Sequence, residues 1–292
     1  MSTMRQRFYR VTTRALEDDP DVAVVLADIG VSELPRHPRV FNVGIREQTM
    51  IGVAAGLALE GYRPIVHSYA PFVIERPYEQ LKLDLGHQDV GAVLVSVGAS
   101  YDGARSGRTH QAPEDVPLVA TLPGWTIHVP GHPDEVEHLL RRSLAERGRV
   151  YLRLTEETNS EPIRGDGLVL LRRGSATAPV VVAVGPTLGA AFAATIDLDV
   201  TVAYLSTVRP FDRAGLRAAV GGTDVVLVEP YLAGTSAAQV SAALSDRPHR
   251  LLALGIVEPE LRRYGSGPNH RAAHGLDAAG IRRSIDAWEQ AA

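Results

Sequence analysis

The chain alternates short apolar runs with longer stretches in which apolar residues recur every three or four positions. The short runs predict buried strands, and the longer stretches predict amphipathic or buried helices. In the first half, strands are predicted at residues 22–26, 40–42, 65–68, 90–98, 126–129 and 150–154. Helices are predicted at residues 5–17, 50–59, 69–85 (with Pro71 and Pro77 as interruptions) and 134–147. Such alternation predicts a parallel sheet with helices on both faces.

A stretch rich in charge, glycine and proline separates this pattern from a second one of the same kind. After it, strands are predicted at residues 179–185, 201–206, 224–229 and 251–257, and helices at 188–194 and 235–244. We therefore predict an α/β protein of two domains, each with a mostly parallel sheet flanked by helices. The predicted boundaries are 1–160 for the first domain, 161–178 for a linker and 179–292 for the second domain.

Composition narrows the class of protein. The chain has 292 residues, 45% of them hydrophobic, and a formal charge of −4, which is ordinary for a soluble globular protein. No basic excess indicates nucleic acid, and no apolar run is long enough for a signal peptide or a membrane span. Cysteine is absent, which excludes disulfides, thiolate metal sites and cysteine nucleophiles. We expect a cytoplasmic protein without a nucleic-acid or membrane partner.

Glu47 is predicted to be the single carboxylate in the first turn of a nearly uncharged, buried helix that continues through the small and apolar residues 50–59. A buried carboxylate needs a partner or a proton, so its place there requires a reason. Taken alone, Glu47 is equally explained as a residue that stabilises the positive end of a helix dipole.

The segment Gly44-Ile45-Arg46-Glu47-Gln48, followed by the Gly- and Ala-rich helix, resembles the pyrimidine-binding domain of transketolases. It resembles 1-deoxyxylulose-5-phosphate synthase more loosely. These are thiamine-diphosphate enzymes, so the resemblance implies thiamine diphosphate and Mg²⁺ as cofactors. It also implies that Glu47 binds the aminopyrimidine ring and acts catalytically. A proton shared with a ring nitrogen favours the imino tautomer, which can deprotonate the thiazolium carbon.

Three further features fit the resemblance. Asp28-Ile29 matches an element that packs beneath the cofactor, and Tyr69 and Phe72 match aromatic residues around the aminopyrimidine. His110, in a Thr-His-Gln triplet, matches a histidine that contacts substrate oxygens near the reacting carbon. Outside that context, the same residues are explained as a turn, as core and as loop surface.

The residues at the positions expected to bind substrate differ from those of the family. Gly98-Ala99 stands where transketolases usually carry His-Asp, Arg105-Ser106-Gly107 replaces an acidic Glu-Asp-Gly, and Glu75 stands at a third aromatic position. Arg153-Leu154-Thr155-Glu156 stands where relatives often have an arginine that holds a sugar phosphate. The predicted substrate-binding residues are therefore Arg105, Ser106, Arg108 and His110. The two arginines either bind an anion or are solvated loop charges.

No metal site is predicted in this chain. Gly165-Asp166-Gly167 has the form of the family's diphosphate motif, but it lies in the predicted linker and no asparagine follows until Asn269. We interpret it as a turn. Because Mg²⁺ needs oxygen ligands together with the diphosphate, a second polypeptide should hold both. That partner would be the N-terminal half of a split transketolase, in a heterotetramer built on a homodimer.

The resemblance thus predicts transfer of a two-carbon ketol unit from a ketose donor to an aldehyde acceptor. Two enzyme alternatives stay open: a decarboxylating carboligase and a beta-type subunit of a 2-oxoacid dehydrogenase. A third alternative is a scaffold subunit that keeps the fold without turnover.

Overall fold

The computed structural model describes residues 2–260, 262 and 265–291. The strands are β1 (Val22–Leu26), β2 (Val40–Asn42), β3 (Arg63–Tyr69), β4 (Val93–Val97), β5 (Trp125–His128), β6 (Arg149–Arg153), β7 (Leu168–Arg172), β8 (Val180–Val184), β9 (Thr201–Leu205), β10 (Thr207–Arg209), β11 (Asp224–Leu232) and β12 (Arg250–Ile256). The α-helices are α1 (Met4–Asp18), α2 (Glu47–Leu59), α3 (Tyr78–Gln80), α4 (Asp115–Ala120), α5 (Pro133–Ala145), α6 (Leu188–Ala194), α7 (Arg213–Ala219), α8 (Ala237–Ala243), α9 (Gly267–Ala273) and α10 (Ala278–Gln290).

The strands form two sheets, which confirms the predicted fold class. The first has seven strands in the order β10-β5-β6-β4-β3-β1-β2, and the second has five in the order β12-β11-β8-β9-β7. Every pairing is parallel except β10 with β5 and β7 with β9, each at a sheet edge. Strands such as β4 and β8 are buried along their whole length, which explains why they appear in the sequence as continuous apolar runs.

Helices cover both faces of the first sheet, as the alternation predicted. Alternate residues of β1 belong to different apolar clusters: Val24 to one that contains residues of α1 and α5, and Val25 to one that contains residues of α2 and α4. The second apolar layer continues into the other sheet, where it includes Val180 and Leu227. The two sheets therefore share one continuous core.

Several local predictions need correction. The segment 161–178, predicted as a linker, contains β7, which pairs with the second sheet. The predicted strand 201–206 ends at Leu205, and the chain then returns to the first sheet as β10. The segment 69–85 is not one interrupted helix. Its first residue closes β3, and π-helical turns at Pro71–Glu75 and Leu81–His87 flank α3.

Candidate active site

The carboxyl ends of β3, β4 and β6 meet at one edge of the first sheet, where ligands of open α/β sheets usually bind. A cleft of about 860 Å³ opens there. Its floor includes Tyr69, Gly98 and Leu154, which lie at or directly after those three strand ends. The predicted loop at 99–111 forms one wall of the cleft.

Glu47 is the first residue of α2, as predicted, and only 5% of its side chain is exposed. Its Oε1 atom pairs with Nη1 of Arg76 at 2.8 Å. The preceding residue, Arg46, makes no side-chain hydrogen bond to the helix end. Glu47 is therefore the negative group nearest the positive end of this uncharged helix.

Tyr69, Phe72 and His110 form an aromatic cluster beside the cleft. The ring centroids of Tyr69 and Phe72 are 5.9 Å apart, and that of His110 lies 5.4 Å from Tyr69 and 5.0 Å from Phe72. All three pairs meet edge to face. Nδ1 of His110 is 2.9 Å from Oγ1 of Thr109, which orients the imidazole. The structure thus brings the rings of Tyr69, Phe72 and His110 together, although Tyr69 and His110 are 41 positions apart in the sequence.

Asp28 and Ile29 follow β1, and the structure shows why Asp28 suits a turn. Its φ angle is +64°, a conformation that Asp and Asn tolerate better than most residues. The Asp28 N–H donates to Oδ1 of Asn42 at 3.0 Å, and Nδ2 of Asn42 donates back to Oδ1 of Asp28 at 2.9 Å. This pair joins the carboxyl ends of β1 and β2. The roles of Asp28 and Ile29 beneath a cofactor stay predictions.

The predicted substrate-binding residues separate into two groups. Arg105 and Ser106 are exposed and line the cleft. Arg108 instead binds acceptors of its own chain: Glu114 at 2.5 Å, Glu260 at 2.8 Å and the carbonyl oxygen of Gln111 at 3.0 Å. Arg108 therefore anchors the loop, whereas Arg105 faces the space where a ligand would lie.

The departure at Gly98 has a steric explanation. Gly98 has a φ angle of +71°, and a Cβ atom there would lie 2.4 Å from Cδ1 of Tyr69. The Tyr69 ring therefore fills the space beside residue 98. A histidine at this position would require the ring and the backbone to move.

Sequence reasoning missed several residues of the cleft. Arg5, from α1, and Arg271, from α9, both line it. Arg5 donates to the Tyr9 hydroxyl group at 3.0 Å, and Arg271 pairs with Glu157 at 3.1 Å. Arg271 comes from the second domain, so only the packing of the two domains reveals it.

Two carboxyl groups, one in the cleft and one on the π-helical turn of Phe72, have a raised pKa. Burial raises the pKa of Asp102 to about 7, although the backbone N–H of Glu156 donates to its Oδ2 atom at 3.0 Å. Burial, with a smaller effect of the nearby Glu114 charge, raises the pKa of Glu75 to about 7. Glu75 lies on the same π-helical turn as Phe72.

The side chains around Phe72 suit a flat ring that donates hydrogen bonds. Glu47 provides a buried carboxylate, and Phe72 and Tyr69 provide aromatic surface. Within residues 2–260, 262 and 265–291, no three His, Asp or Glu side chains converge as a metal site. None of the helices in those ranges is both long enough and apolar enough to cross a membrane.

Comparison with known proteins decides the family. The family model described as "Transketolase, pyrimidine binding domain" matches residues 1–160. The chain belongs to the transketolase family. An uncharacterized 33.6 kDa protein in the fasciation locus of Rhodococcoides fascians is 52% identical over 285 residues, which cover 94% of this chain and 91% of that protein.

Other members of the transketolase family are longer. The 1-deoxy-D-xylulose-5-phosphate synthase 2 of Geobacter sulfurreducens is 31% identical over 94% of this chain, yet the match covers only 47% of that protein. This chain thus spans about half the length of such relatives. Among solved structures, a split gene transketolase described as an inactive beta4 tetramer superposes with a TM-score of 0.81 at 22% identity. The match covers 97% of this chain and 96% of that one.

Transketolase from Campylobacter jejuni has the same fold, with a TM-score of 0.77 at 18% identity. The superposition covers 97% of this chain and 46% of that one. Transketolase and 1-deoxy-D-xylulose-5-phosphate synthase, to which this chain is similar, are thiamine-diphosphate-dependent enzymes.

Proposed function

We propose that this chain is one subunit of a split, thiamine-diphosphate-dependent enzyme that transfers a two-carbon ketol unit from a ketose to an aldehyde. The observation that carries the proposal is the buried Glu47 carboxylate beside the Phe72 ring, both within reach of Arg76. A buried acid beside an aromatic face is what a flat, proton-exchanging ring requires. Membership of the transketolase family supports the same assignment.

The cofactor, when bound, supplies the electron sink that makes a carbonyl carbon nucleophilic. Glu47 would hold a proton against a ring nitrogen of the aminopyrimidine, and Tyr69 and Phe72 would pack around that ring. His110, oriented by Thr109, would donate to a substrate oxygen on which negative charge develops. Asp28 and Ile29 would support the cofactor from the end of β1.

A second polypeptide would hold the diphosphate and Mg²⁺. The chain covers 46% of a transketolase but 96% of a split gene transketolase chain, which supports this division of labour. The partner would be the N-terminal half, in a heterotetramer built on a homodimer, and the complex would act in the cytoplasm. Mg²⁺ suits that arrangement because it prefers oxygen ligands shared with phosphate groups.

Glu47→Gln tests the proposal in the assembled enzyme. The change preserves shape and removes the acid, so we expect the rate to fall on the order of a hundredfold. Glu60→Gln, at the exposed end of the same helix, is the matched control and should behave like wild type. A Glu47→Gln rate within about twofold of wild type would favour the scaffold alternative.

The segment after β6 supports the decarboxylating alternatives. The segment 153–156 stands where relatives often have a phosphate-holding arginine, but Arg153 is buried and paired with Asp115, whereas Glu156 lines the cleft. Because no arginine of this segment lines the cleft, a sugar phosphate would lack that contact. Pyruvate or hydroxypyruvate as the preferred donor, in place of ketose phosphates, would indicate a carboligase or a 2-oxoacid dehydrogenase beta-type subunit.

A further inference from the structure

Arg76 contacts both groups that a bound ring would use. Its Nη1 atom pairs with Oε1 of Glu47 at 2.8 Å, and its guanidinium carbon lies 3.8 Å from the centroid of the Phe72 ring. The guanidinium is flat, donates hydrogen bonds and stacks on aromatic faces. It therefore has the shape and polarity of a small heteroaromatic ring in the same place.

The π-helical turn puts Arg76 there. The Arg76 N–H donates to the carbonyl oxygen of Pro71, five residues earlier, at 3.1 Å. A π turn is an unusual insertion in helical structure and often occurs at functional sites. It places Phe72 and Arg76, four positions apart, on one face, and Nε2 of Gln48 fixes the backbone by donating to the Arg76 carbonyl at 3.2 Å.

The side chain of Arg76 can move away from Glu47 while its backbone stays in place. It is 43% exposed, whereas the Glu47 side chain is 5% exposed. While Arg76 is in place, it neutralises a carboxylate that would be costly to leave buried without a partner. A ring that donates a hydrogen bond to Glu47 would replace Arg76 as the partner of that carboxylate. The Arg76 side chain would then extend into solvent.

We propose that Arg76 is a displaceable occupant of the cofactor pocket. In the free chain it holds Glu47 and covers Phe72, and the aminopyrimidine ring gains both contacts only when the arginine side chain swings out. This inference rests on the proposed function, because it takes Glu47 and Phe72 as contacts of the ring. It assigns to Arg76 a role in setting cofactor affinity.

The experiment measures equilibrium affinity by calorimetry on the chain assembled with its diphosphate-binding partner. The ligand is thiamine diphosphate with Mg²⁺, and inorganic pyrophosphate with Mg²⁺ is the ringless control. Arg76→Ala should bind thiamine diphosphate about tenfold tighter than wild type, equivalent to about 1.4 kcal/mol, and should bind pyrophosphate with unchanged affinity. Arg46→Ala, at an exposed arginine beside Glu47 whose side chain donates to the Val43 carbonyl oxygen, should match wild type.

Arg76→Lys provides a second variant in case the alanine variant folds poorly. Lysine keeps a charge for Glu47 but cannot cover the ring face as a guanidinium does, so its affinity should lie between those of wild type and Arg76→Ala. Unchanged or weaker thiamine diphosphate binding in both variants would overturn the inference and make Arg76 a permanent support for Glu47. Failure of the wild-type complex to bind thiamine diphosphate would instead remove the proposed function, and the inference with it.

Discussion

Gly98 follows β4 with a φ angle of +71°, and an added Cβ atom would meet the Tyr69 ring at 2.4 Å. Gly107 has a similar φ angle of +75°, with ψ at −170°, but within the described part of the chain no atom beyond its immediate neighbours lies within 4 Å of an added Cβ. Both glycines therefore have a positive φ that favours glycine, and they differ in steric contact. Because Tyr69 belongs to the aromatic cluster with His110, the contact at Gly98 constrains the candidate active site as well as the sheet.

Gly98→Ala should destabilise the protein by roughly 3 kcal/mol, since it combines a left-handed backbone with a clash. Gly107→Ala should cost about 2 kcal/mol, from a backbone conformation that only glycine commonly adopts and without a clash. Urea unfolding of both variants measures the difference. Equal losses would mean that the Tyr69 ring moves aside at little cost.

At the scale of elements, the loop at 99–111 is tied to the second domain. The Tyr101 ring stacks on His270 with centroids 4.4 Å apart, and its hydroxyl group lies 3.0 Å from Nε2 of His274. Arg108 adds the ion pair to Glu260. The loop that carries His110 is thus held from both sides, by Glu114 directly before α4 and by the second domain.

Arg105 and Arg108 should consequently have different effects on activity. Arg108→Ala loosens the loop that positions His110, so it should lower the rate for every substrate alike, as His110→Ala should. Arg105→Ala should change the ranking of substrates, since an exposed arginine in the cleft discriminates among distal groups. A panel of donors and acceptors, with and without a terminal phosphate, measures both. A changed ranking in Arg108→Ala, or an unchanged one in Arg105→Ala, would contradict this assignment.

At the scale of the whole molecule, polar groups are buried where the two sheets meet. Arg153 and Asp115 are fully buried and paired at 2.7 Å. Glu229 in β11 is also fully buried, and the Ser236 N–H donates to its Oε2 atom over a long distance of 3.4 Å. Burial raises the pKa of Glu229 from its ordinary value of 4.5 to about 7.

Glu229 should therefore weaken the fold at neutral and alkaline pH. Between pH 4.5 and about 7, the folded state binds more protons than the unfolded state, so the free energy of unfolding falls as the pH rises. Glu229→Gln should stabilise the protein by on the order of 2 kcal/mol at pH 8 and leave it unchanged near pH 4. Thermal unfolding across this range, with exposed Glu60→Gln as control, tests it. If the stability difference between Glu229→Gln and wild type did not depend on pH, Glu229 would not lose its proton in this pH range in the folded state.

Much of the fold could be predicted from the sequence because it depends on local patterns of apolar and polar residues. Continuous apolar runs such as 93–97 and 180–184 can be stable only as strands buried on both faces. The amphipathic period of α1 and α5 likewise follows from which residues face the sheet. The position of Glu47 in the first turn of α2 depended on neighbouring residues alone, and the transketolase family was evident from the same short segment.

The tertiary structure decided which distant groups meet. Arg108 pairs with Glu260, which is 152 positions away, and Arg76 pairs with Glu47, which is 29 positions away. Likewise, β10 pairs with the first sheet after β9 has joined the second. These contacts depend on the packing of whole elements and on the order of strands, which leave no periodic trace in the chain. For that reason the family resemblance could suggest roles for Glu47 and His110, which stay predictions, whereas only the folded chain showed Arg108 as an anchor and Arg76 over the ring of Phe72.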